Sequence, residues 1–242
     1  MKIVAKTDVG MVRESNQDSY TTGELPNGVA WAVVCDGMGG AAGGNVASST
    51  AVKVIAEQIT SSFRPGMSAN SIKNMMVSAI NAANISVYDI SCSNSELYGM
   101  GTTVVCAIVM EHTAYIAHAG DSRAYIVSHG ALNQLTRDHS VVQELVEHGK
   151  ITALEAKRHP NKNIITRAVG VSREILVDFC EQEMKDGDVL LLCTDGLTNF
   201  VESDEMCDLT KDDMFYEFAE RLVDRANKNG GGDNVTVVAV TY

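Results

Sequence analysis

The stretch VAWAVVCDGMGG, residues 29–40, changes from apolar to polar within a single step. Its first seven residues are all apolar and include three valines, which predicts a buried strand. Asp36 follows directly, and three of the next four residues are glycine. An Asp-Gly pair after a strand is most often only a turn. Glycine also lets the backbone or an ion approach closely, so this carboxylate is a candidate ligand.

Five other runs are rich in β-branched or aromatic residues and are predicted strands, at 102–110, 113–119, 123–128, 188–194 and 234–242. The segments MEHT and SHGAL are predicted hairpin connections between neighbouring strands. Apolar residues at three- and four-residue spacing predict two long helices, over 45–63 and 69–89. Strands joined mostly by hairpins, with the long helices held apart from them, indicate an antiparallel α+β fold.

Capping patterns predict the remaining helices. A third long helix is expected after Thr210, with Thr210 and Asp213 as its capping pair and Gly230 at its end. Ser140 and Thr152 each begin a further capping pattern, which predicts two short helices in the long connection between strands.

Composition narrows the class of protein. The 242 residues are 45% hydrophobic, which is enough for one large domain or two small ones. The net charge of −12 argues against general nucleic-acid binding, which requires a basic face. This acid excess could serve solubility alone, or it could partly reflect carboxylates that hold metal. The six cysteines lack the CxxC spacing of zinc and redox sites, so we expect free thiols in a reducing compartment.

The sequence predicts a cytoplasmic location. No apolar run approaches ~18 residues, so no membrane span is expected. The first residues turn polar at once and lack the apolar core of a signal peptide.

Three more aspartates stand beside glycine at the ends of predicted strands: Asp121, Asp195 and Asp233. Strand ends can converge in space, and a cluster of carboxylates stays ionised at neutral pH only if cations neutralise it. All-oxygen ligand sets suit hard ions such as Mg²⁺ or Mn²⁺. Together with Asp36, these residues predict a site for two or more metal ions. The default chemistry of such a site is activation of water for attack on a phosphate ester.

A second candidate group lies near the N-terminus, where MVRESNQDSY (residues 11–20) places Arg13, Asn16 and Asp18 close together. The guanidinium fork of arginine matches two phosphate oxygens, so Arg13 is a candidate phosphate ligand. A surface loop with a salt bridge is the alternative interpretation.

The chain contains, in this order, the motifs RESNQD, DGMGGAAGG, GTT, GDSRAY, TRDHS, ITRAVG, TDGLTN and GGDNVTVV. It resembles PPM-type (type 2C) metal-dependent protein serine/threonine phosphatases over about residues 4–241, and its length is similar to that of bacterial members. The resemblance implies a β-sandwich of two antiparallel sheets flanked by helices, a four-layer αββα arrangement. It also implies a single catalytic domain over 1–242, with a small helical flap at about 140–165.

The resemblance implies two core ions, Mn²⁺ or Mg²⁺. Asp36 would bridge them, with the Gly37 carbonyl on the first ion. Asp195 and Asp233 would hold the second ion. Asp121, together with Asp195, would bind a third and weaker ion.

Two residues near the N-terminus would complete the catalytic group. Asp18 would act through metal-bound waters, and Arg13 would clamp the substrate phosphate. With Asp36, these are the catalytic residues that the resemblance implies.

One position departs from the family pattern. Met38 stands where many members have a histidine that is proposed as the general acid, and methionine cannot donate a proton. His139 could take that role, or it could be a structural residue at a helix start. A metal-bound water could protonate the leaving group instead.

The implied activity is hydrolysis of phosphoserine and phosphothreonine in proteins by a metal-activated water, in signalling that opposes a bacterial Ser/Thr kinase. Expected partners are phosphorylated proteins, including such a kinase and its substrates, with no nucleic acid and no membrane insertion. The chain is expected to be a monomer. A phosphoprotein-binding module of the same fold without turnover is the alternative, although every expected aspartate is present. The acidic balance disfavours a metal-dependent nuclease.

The flap region is locally basic. Between residues 150 and 173, Glu155 is the single acidic residue, and six residues are basic: Lys150, Lys157, Arg158, Lys162, Arg167 and Arg173. Such an excess could attract phosphorylated or acidic substrates. A solvated polar loop is the alternative.

Overall fold

Two antiparallel sheets lie face to face in the structure, a computed structural model that describes residues 1–210 and 214–242 and, at 41 and 42, the backbone alone. The first sheet contains, from edge to edge, β1 (Lys2–Asp8), β11 (Val235–Thr241), β10 (Val189–Cys193), β7 (Arg123–Ser128) and β8 (Ala131–Gln134). The second contains β2 (Asp18–Leu25), β3 (Val29–Met38), β5 (Val104–Met110), β6 (Thr113–Ala119) and β9 (Asp178–Glu183). The short β4 (Gly101–Thr102) pairs with the end of β3.

Helices cover the outer face of each sheet. The second sheet packs against α1 (Gly40–Ser62) and α2 (Ala69–Ser93). The first sheet packs against α7 (Phe215–Lys228), with α5 (Asp195–Thr198) and α6 (Ser203–Thr210) beside it. The flap holds α3 (Val141–Glu147) and α4 (Ala153–Ala156). These layers confirm the predicted αββα sandwich. In the part of the chain that the structure describes, no helix combines the length and apolar character needed to cross a membrane.

The alternation of side chains along β3 explains its continuous apolar run. Every second residue packs between the two sheets, and the others pack against α1 and α2. The first set contains Ala30, Ala32 and Val34, and the second contains Trp31, Val33 and Cys35. Because both faces of the strand are buried, both sets are apolar. The strand continues past Asp36 to Met38, because β4 pairs with Gly37 and Met38. The predicted strand end at residue 35 was therefore three residues early.

All six predicted strands are present, and the four longer strands that were not predicted are the edge strands. β1 and β8 border the first sheet, and β2 and β9 border the second. An edge strand is partly exposed and carries polar side chains, so it lacks a continuous apolar run. The sequences KIVAKTD of β1 and DSYTTGEL of β2 show this composition.

Both short helices begin at the predicted residues. The Ser140 hydroxyl accepts a hydrogen bond from the Gln143 amide at 3.3 Å, at the start of α3. Thr152 and Glu155 form a complete capping box at the start of α4. The local capping signal was sufficient here because both partners lie within one turn.

The predicted start of the third long helix is wrong. Thr210 is the last residue of α6, and its hydroxyl donates to the Cys207 carbonyl at 2.6 Å. Threonine hydroxyls readily bond back to a carbonyl in the preceding turn, which competes with capping. The helix α7 begins at Phe215, and Asp213, the other half of the predicted cap, lies outside the described residues.

Candidate active site

A cavity of about 870 Å³ opens at one end of the sandwich. Six of the seven predicted site residues line it: Arg13, Asp36, Gly37, Asp121, Asp195 and Asp233. Its wall also contains Asn163 and Ile165 from the flap, and Met38 from the end of β3. The lining residues come from both sheets, so only the folded sandwich brings them together.

Asp18, the seventh predicted residue, lies beside the cavity and faces Asp36. The two aspartates are directly opposite each other in the pairing of β2 with β3. The Oδ2 atom of Asp18 accepts hydrogen bonds from the hydroxyls of Thr194 (2.9 Å) and Thr236 (2.6 Å), which belong to the other sheet. Its Oδ1 atom is buried and has no hydrogen-bond partner. Burial raises the pKa of Asp18 to about 7, against the lowering effect of the two hydroxyls.

Two threonines hold the backbone of Asp36: Thr102, the last residue of β4, and Thr103, which follows it. Its amide donates to the Thr103 hydroxyl at 2.9 Å, and its carbonyl accepts from the Thr103 amide at 2.9 Å. The Thr102 hydroxyl donates to the same carbonyl at 2.8 Å. Burial, followed by the negative charges of nearby aspartates, raises the pKa of Asp36 well above its usual range.

Gly37 has to be glycine for a steric reason. A Cβ atom at this position would lie 2.1 Å from the Gly44 carbonyl oxygen, because the start of α1 packs against the end of β3. The Gly37 amide donates to the Gln17 carbonyl at 3.2 Å, which ties the N-terminal loop to the same point. The absence of a side chain therefore lets three chain segments meet beside Asp36.

Asp195 and Asp233 are brought together by the contact of α5 with the start of β11. A Cβ atom on Gly196 would lie 1.8 Å from the Asn234 carbonyl oxygen, so this approach requires glycine. The Asp195 carboxylate accepts from the Asn199 side-chain amide at 2.9 Å. Burial and the charge of Asp233 raise the pKa of Asp195.

Asp121 enters the cavity from the turn between β6 and β7. Burial, followed by the charge of Asp195, raises its pKa to about 7. The next residue, Ser122, shares a hydrogen bond of 2.6 Å with the Thr103 hydroxyl. Thr103 also holds Asp36, so one hydroxyl network positions both carboxylates.

Arg13 reaches the cavity from the N-terminal loop and pairs with Asp233 at 2.9 Å. This hydrogen bond raises the pKa of Arg13. The loop is held by Asn234, whose side chain donates to the carbonyls of Val9 and Ser15 and accepts from the Gln17 amide, each at 2.9 Å.

Sequence reasoning missed the residues that hold the aspartates in place, namely Thr103, Thr194, Asn199, Asn234 and Thr236. All five lie inside motifs that were recognised, and Thr194 and Asn234 stand directly beside an aspartate. Asn199 lies only four residues from its partner Asp195, but the partners of the other four are distant in sequence, as for Thr236 and Asp18, so no local pattern could assign them.

Met38 and His139 have different positions relative to the cavity. Met38 lines it, whereas His139 is buried, with an exposed fraction of 1%. The Nδ1 atom of His139 accepts from the Gly120 amide at 3.1 Å, and its Nε2 atom lies 3.1 Å from Asp178. These contacts favour a structural role for His139 over that of general acid.

The donor set fits hard divalent cations. Asp18 has a buried oxygen without a partner, and burial, followed by the like charges of the neighbouring aspartates, raises the pKa of Asp36 and of Asp195. Two acidic residues directly opposite each other on paired strands are destabilising unless a cation offsets the repulsion. The site offers only oxygen ligands, which is the preference of Mg²⁺ and Mn²⁺.

Comparisons with known proteins identify the family. The family model described as protein phosphatase 2C matches residues 12–236. The serine/threonine phosphatase stp of Listeria monocytogenes serotype 4b (strain F2365) is 38% identical over 236 residues, with 97% of this chain and 93% of that protein covered.

Two solved structures share the fold over nearly their whole length. The S. agalactiae serine/threonine phosphatase has a TM-score of 0.93 and 32% identity, with 100% of this chain and 99% of that one covered. The catalytic domain of the serine threonine protein phosphatase PstP, solved in complex with two manganese ions, has a TM-score of 0.85 and 32% identity, with coverage of 98% and 96%. The chain belongs to the protein phosphatase 2C family.

Proposed function

We propose that this phosphatase hydrolyses phosphoserine and phosphothreonine in proteins, with Mn²⁺ or Mg²⁺ as cofactor. The observation that carries the proposal is the convergence of four aspartates and Arg13 on one open cavity. The predicted class, a protein serine/threonine phosphatase, is confirmed by the family match and by the named relatives. A binding module without turnover is not favoured, because the cavity retains every carboxylate that such a module would be expected to lose.

The proposed metal ligands are those that the family resemblance implies, and their position in the lining of one cavity supports them. Asp36 would bridge two ions, with the Gly37 carbonyl on the first and with Asp195 and Asp233 on the second. Asp121 and Asp195 would share a third and weaker ion. The PstP structure with two manganese ions supports the two core ions, and the third rests on the position of Asp121 in the same cavity.

Bound divalent ions would supply a water activated for attack on phosphorus and would offset the charge of the phosphate. The chain itself would orient the reactants. Asp18, fixed through Oδ2 by Thr194 and Thr236, keeps Oδ1 free to accept from a water of the site. Arg13, whose side chain is 53% exposed, would exchange part of its contact with Asp233 for the phosphate oxygens. Because Met38 cannot donate a proton, we assign protonation of the leaving alkoxide to water in the cavity.

The flap is proposed to contact the protein part of the substrate, since Asn163 and Ile165 line the cavity. Its basic residues divide into two groups. Lys157 pairs with Glu202, and the ammonium of Lys162 donates to the Asn199 side chain at 3.3 Å. Lys150 and Arg158 are exposed, so they are the better candidates for attracting acidic substrates.

We further propose a biological setting for the enzyme. Its partners would be phosphorylated proteins, including a bacterial Ser/Thr kinase and the substrates of that kinase. All six cysteines are free thiols, and three are buried, which supports a reducing compartment such as the cytoplasm. A monomer and a single catalytic domain over 1–242 stay predictions.

Hydrolysis of a phosphothreonine peptide tests the proposal. Phosphate release should depend on added Mn²⁺ and should stop when EDTA is present. The unphosphorylated peptide, with free phosphate measured as before, is the control. A folded protein that binds Mn²⁺ and phosphopeptide but releases no phosphate would support the binding module and overturn the proposed turnover.

A further inference from the structure

Three side chains that the proposed chemistry does not use lie together away from the cavity lining: His118, His139 and Asp178. Their potential ligand atoms lie within 4.8 Å of one another, a spacing compatible with a metal ion. The two imidazole rings, however, stack in parallel, with centroids 4.8 Å apart and an interplanar angle of 6°. Arg167 also donates to Asp178 at 2.7 Å, which places a fixed positive charge inside the group. The arrangement therefore suits the holding of a neutral His139 better than the binding of a cation.

The hydrogen bonds define the tautomer of His139. A backbone amide can only donate, so Nδ1, which receives the Gly120 amide at 3.1 Å, must be unprotonated. The Nε2 atom lies 3.1 Å from both the Asp178 carboxylate and an Arg167 guanidinium nitrogen. Because Nδ1 has to accept, the proton of the neutral ring is on Nε2, which donates to Asp178, and the approach of Arg167 to Nε2 is then a contact without a hydrogen bond. Arg167 donates to the other oxygen of that carboxylate, so Asp178 serves two donors at once. His118 stacks on one face of the ring and limits its movement.

His139 holds Gly120 at two points. Besides the Nδ1 contact, the backbone amide of His139 donates to the Gly120 carbonyl at 2.9 Å. A second link joins the same two segments, because Arg123 donates to both carboxylate oxygens of Asp138, at 2.8 Å and 2.6 Å. The segment that presents Asp121 is thus tied on both sides to the segment 138–139.

The same residue lies at the base of the flap. The His139 carbonyl accepts from the Thr166 amide at 2.7 Å, and Ser140 forms a bridge with Ile165. The two stems of the flap therefore meet at His139. Ile165, next to this junction, lines the cavity.

We propose that His139 is a positioning residue that fixes Asp121, through Gly120, relative to the base of the flap. The inference rests on the proposed role of Asp121 as a ligand of the third, weaker ion. A shift of Gly120 would move the Asp121 carboxylate and weaken that ion, whereas the two core ions, held by other segments, would be retained.

The tautomer can be measured in the unaltered protein. Nitrogen chemical shifts of His139, recorded on ¹⁵N-labelled metal-free protein near neutral pH, should show the proton on Nε2. A proton on Nδ1, or on both nitrogens, would overturn the proposal, because Nδ1 could not then accept from Gly120.

Two substitutions separate the contacts of the ring. His139→Asn keeps an acceptor near the position of Nδ1 but cannot reach Asp178, whereas His139→Gln keeps a donor near Nε2 and loses the acceptor for Gly120. In metal-free protein, exchange of the Gly120 amide hydrogen should be about fivefold faster in His139→Gln than in His139→Asn, the size expected for one lost hydrogen bond. Equal exchange, or faster exchange in His139→Asn, would reduce His139 to a packing residue.

Calorimetry with Mn²⁺ then tests the consequence for the third ion. His139→Gln should weaken the weakest Mn²⁺ site about fivefold more than His139→Asn does, with the tight sites unchanged. The variant Asp121→Ala tests the third-ion role of Asp121 separately from the positioning role of His139. If that variant keeps the weak site, the third-ion role of Asp121 falls, while the exchange of the Gly120 amide still judges His139. Loss of the weak site in Asp121→Ala without any difference between the two His139 variants would overturn the positioning role.

Discussion

Asp18 and Asp36 face each other across two paired strands, a costly placement for two carboxylates. The hydroxyls of Thr194 and Thr236 donate hydrogen bonds to one carboxylate oxygen of Asp18, but the other oxygen has no partner. When both carboxylates are ionised, Asp18 and Asp36 repel each other, and a divalent cation bound beside them would offset this repulsion. Most folded proteins avoid such pairs unless function requires them.

Replacing Asp36 by asparagine should separate this repulsion from function. Asp36→Asn removes one charge at nearly constant shape, so the melting temperature of the variant in EDTA should equal or exceed that of the parent protein. Its Mn²⁺-dependent turnover should fall by at least about a thousandfold, because a bridging ligand is lost. Near-normal turnover of a folded Asp36→Asn protein would remove the two-ion mechanism.

Arg13 is the residue whose two interpretations can be distinguished by kinetics. Arg13→Ala should raise KM for a phosphopeptide and lower kcat, because a phosphate clamp acts in both the ground state and the transition state. Arg13→Lys is the matched control, since it keeps the charge and loses the fork, and its effect should be smaller. An unchanged kcat/KM in Arg13→Ala would return this residue to the role of a surface salt bridge with Asp233.

The flap, which borders the cavity, is connected through α5 to the proposed metal ligand Asp195. Asn199, at the end of α5, donates to Asp195 at 2.9 Å and accepts from Lys162 of the flap at 3.3 Å. Asn199→Asp should weaken Mn²⁺ binding by about tenfold, the scale known for residues that orient metal ligands. Lys162→Met, which keeps Asn199 in place, is the control and should change the metal affinity much less. Equal metal affinities in the parent protein and Asn199→Asp would show that Asn199 only completes the helix end.

The basic residues of the flap lead to a separate prediction. Charge reversal at both Lys150 and Arg158 should slow turnover of a phosphorylated protein but leave turnover of para-nitrophenyl phosphate nearly unchanged, because these two residues lie outside the cavity lining and only the larger substrate can reach them. Charge reversal at Lys53 and Lys228, exposed residues on α1 and α7, changes the net charge equally and is the matched control. Equal effects of the two double variants would show that net charge, not docking, matters.

At the scale of the whole molecule, the acidic cavity links metal binding to pH. The pKa values of Asp18 and Asp121 are raised to about 7 in the chain alone, above about 3.9 in an unfolded chain. A raised folded-state pKa means that the folded state holds more protons, so metal-free stability should fall as pH rises from about 4 to about 7. Mn²⁺ replaces those protons, and its stabilising effect should grow over the same range.

The measurement is the difference in melting temperature between Mn²⁺-loaded and EDTA-treated protein, at about pH 5.5 and about pH 8. The difference should be larger at the higher pH. Titration of groups elsewhere, such as His118, largely cancels in this comparison. Asp18→Asn should reduce the pH dependence, because one of the titrating carboxylates is absent. A difference that is independent of pH would contradict the linkage.

Whether a strand or helix could be predicted from the sequence depends on its position in the sandwich. Buried strands such as β3 and β5 were predicted because both of their faces are apolar. The starts of α3 and α4 were predicted because their capping partners lie within one turn. The edge strands β1, β2, β8 and β9 were missed because a half-exposed strand has no continuous apolar run. The start of α7 was misplaced because Thr210 bonds back into α6.

The site divides in the same way. The sequence alone determined which aspartates stand beside glycine and, through the order of its motifs, the family and the αββα fold, because these signals are local and short. Only the tertiary structure decided that Asp18 faces Asp36, that Thr194 and Thr236 reach across from the other sheet, and that His139 supports the segment of Asp121 away from the cavity lining. Those pairings join residues up to 218 positions apart, and the register and packing of the two sheets determine which residues become partners.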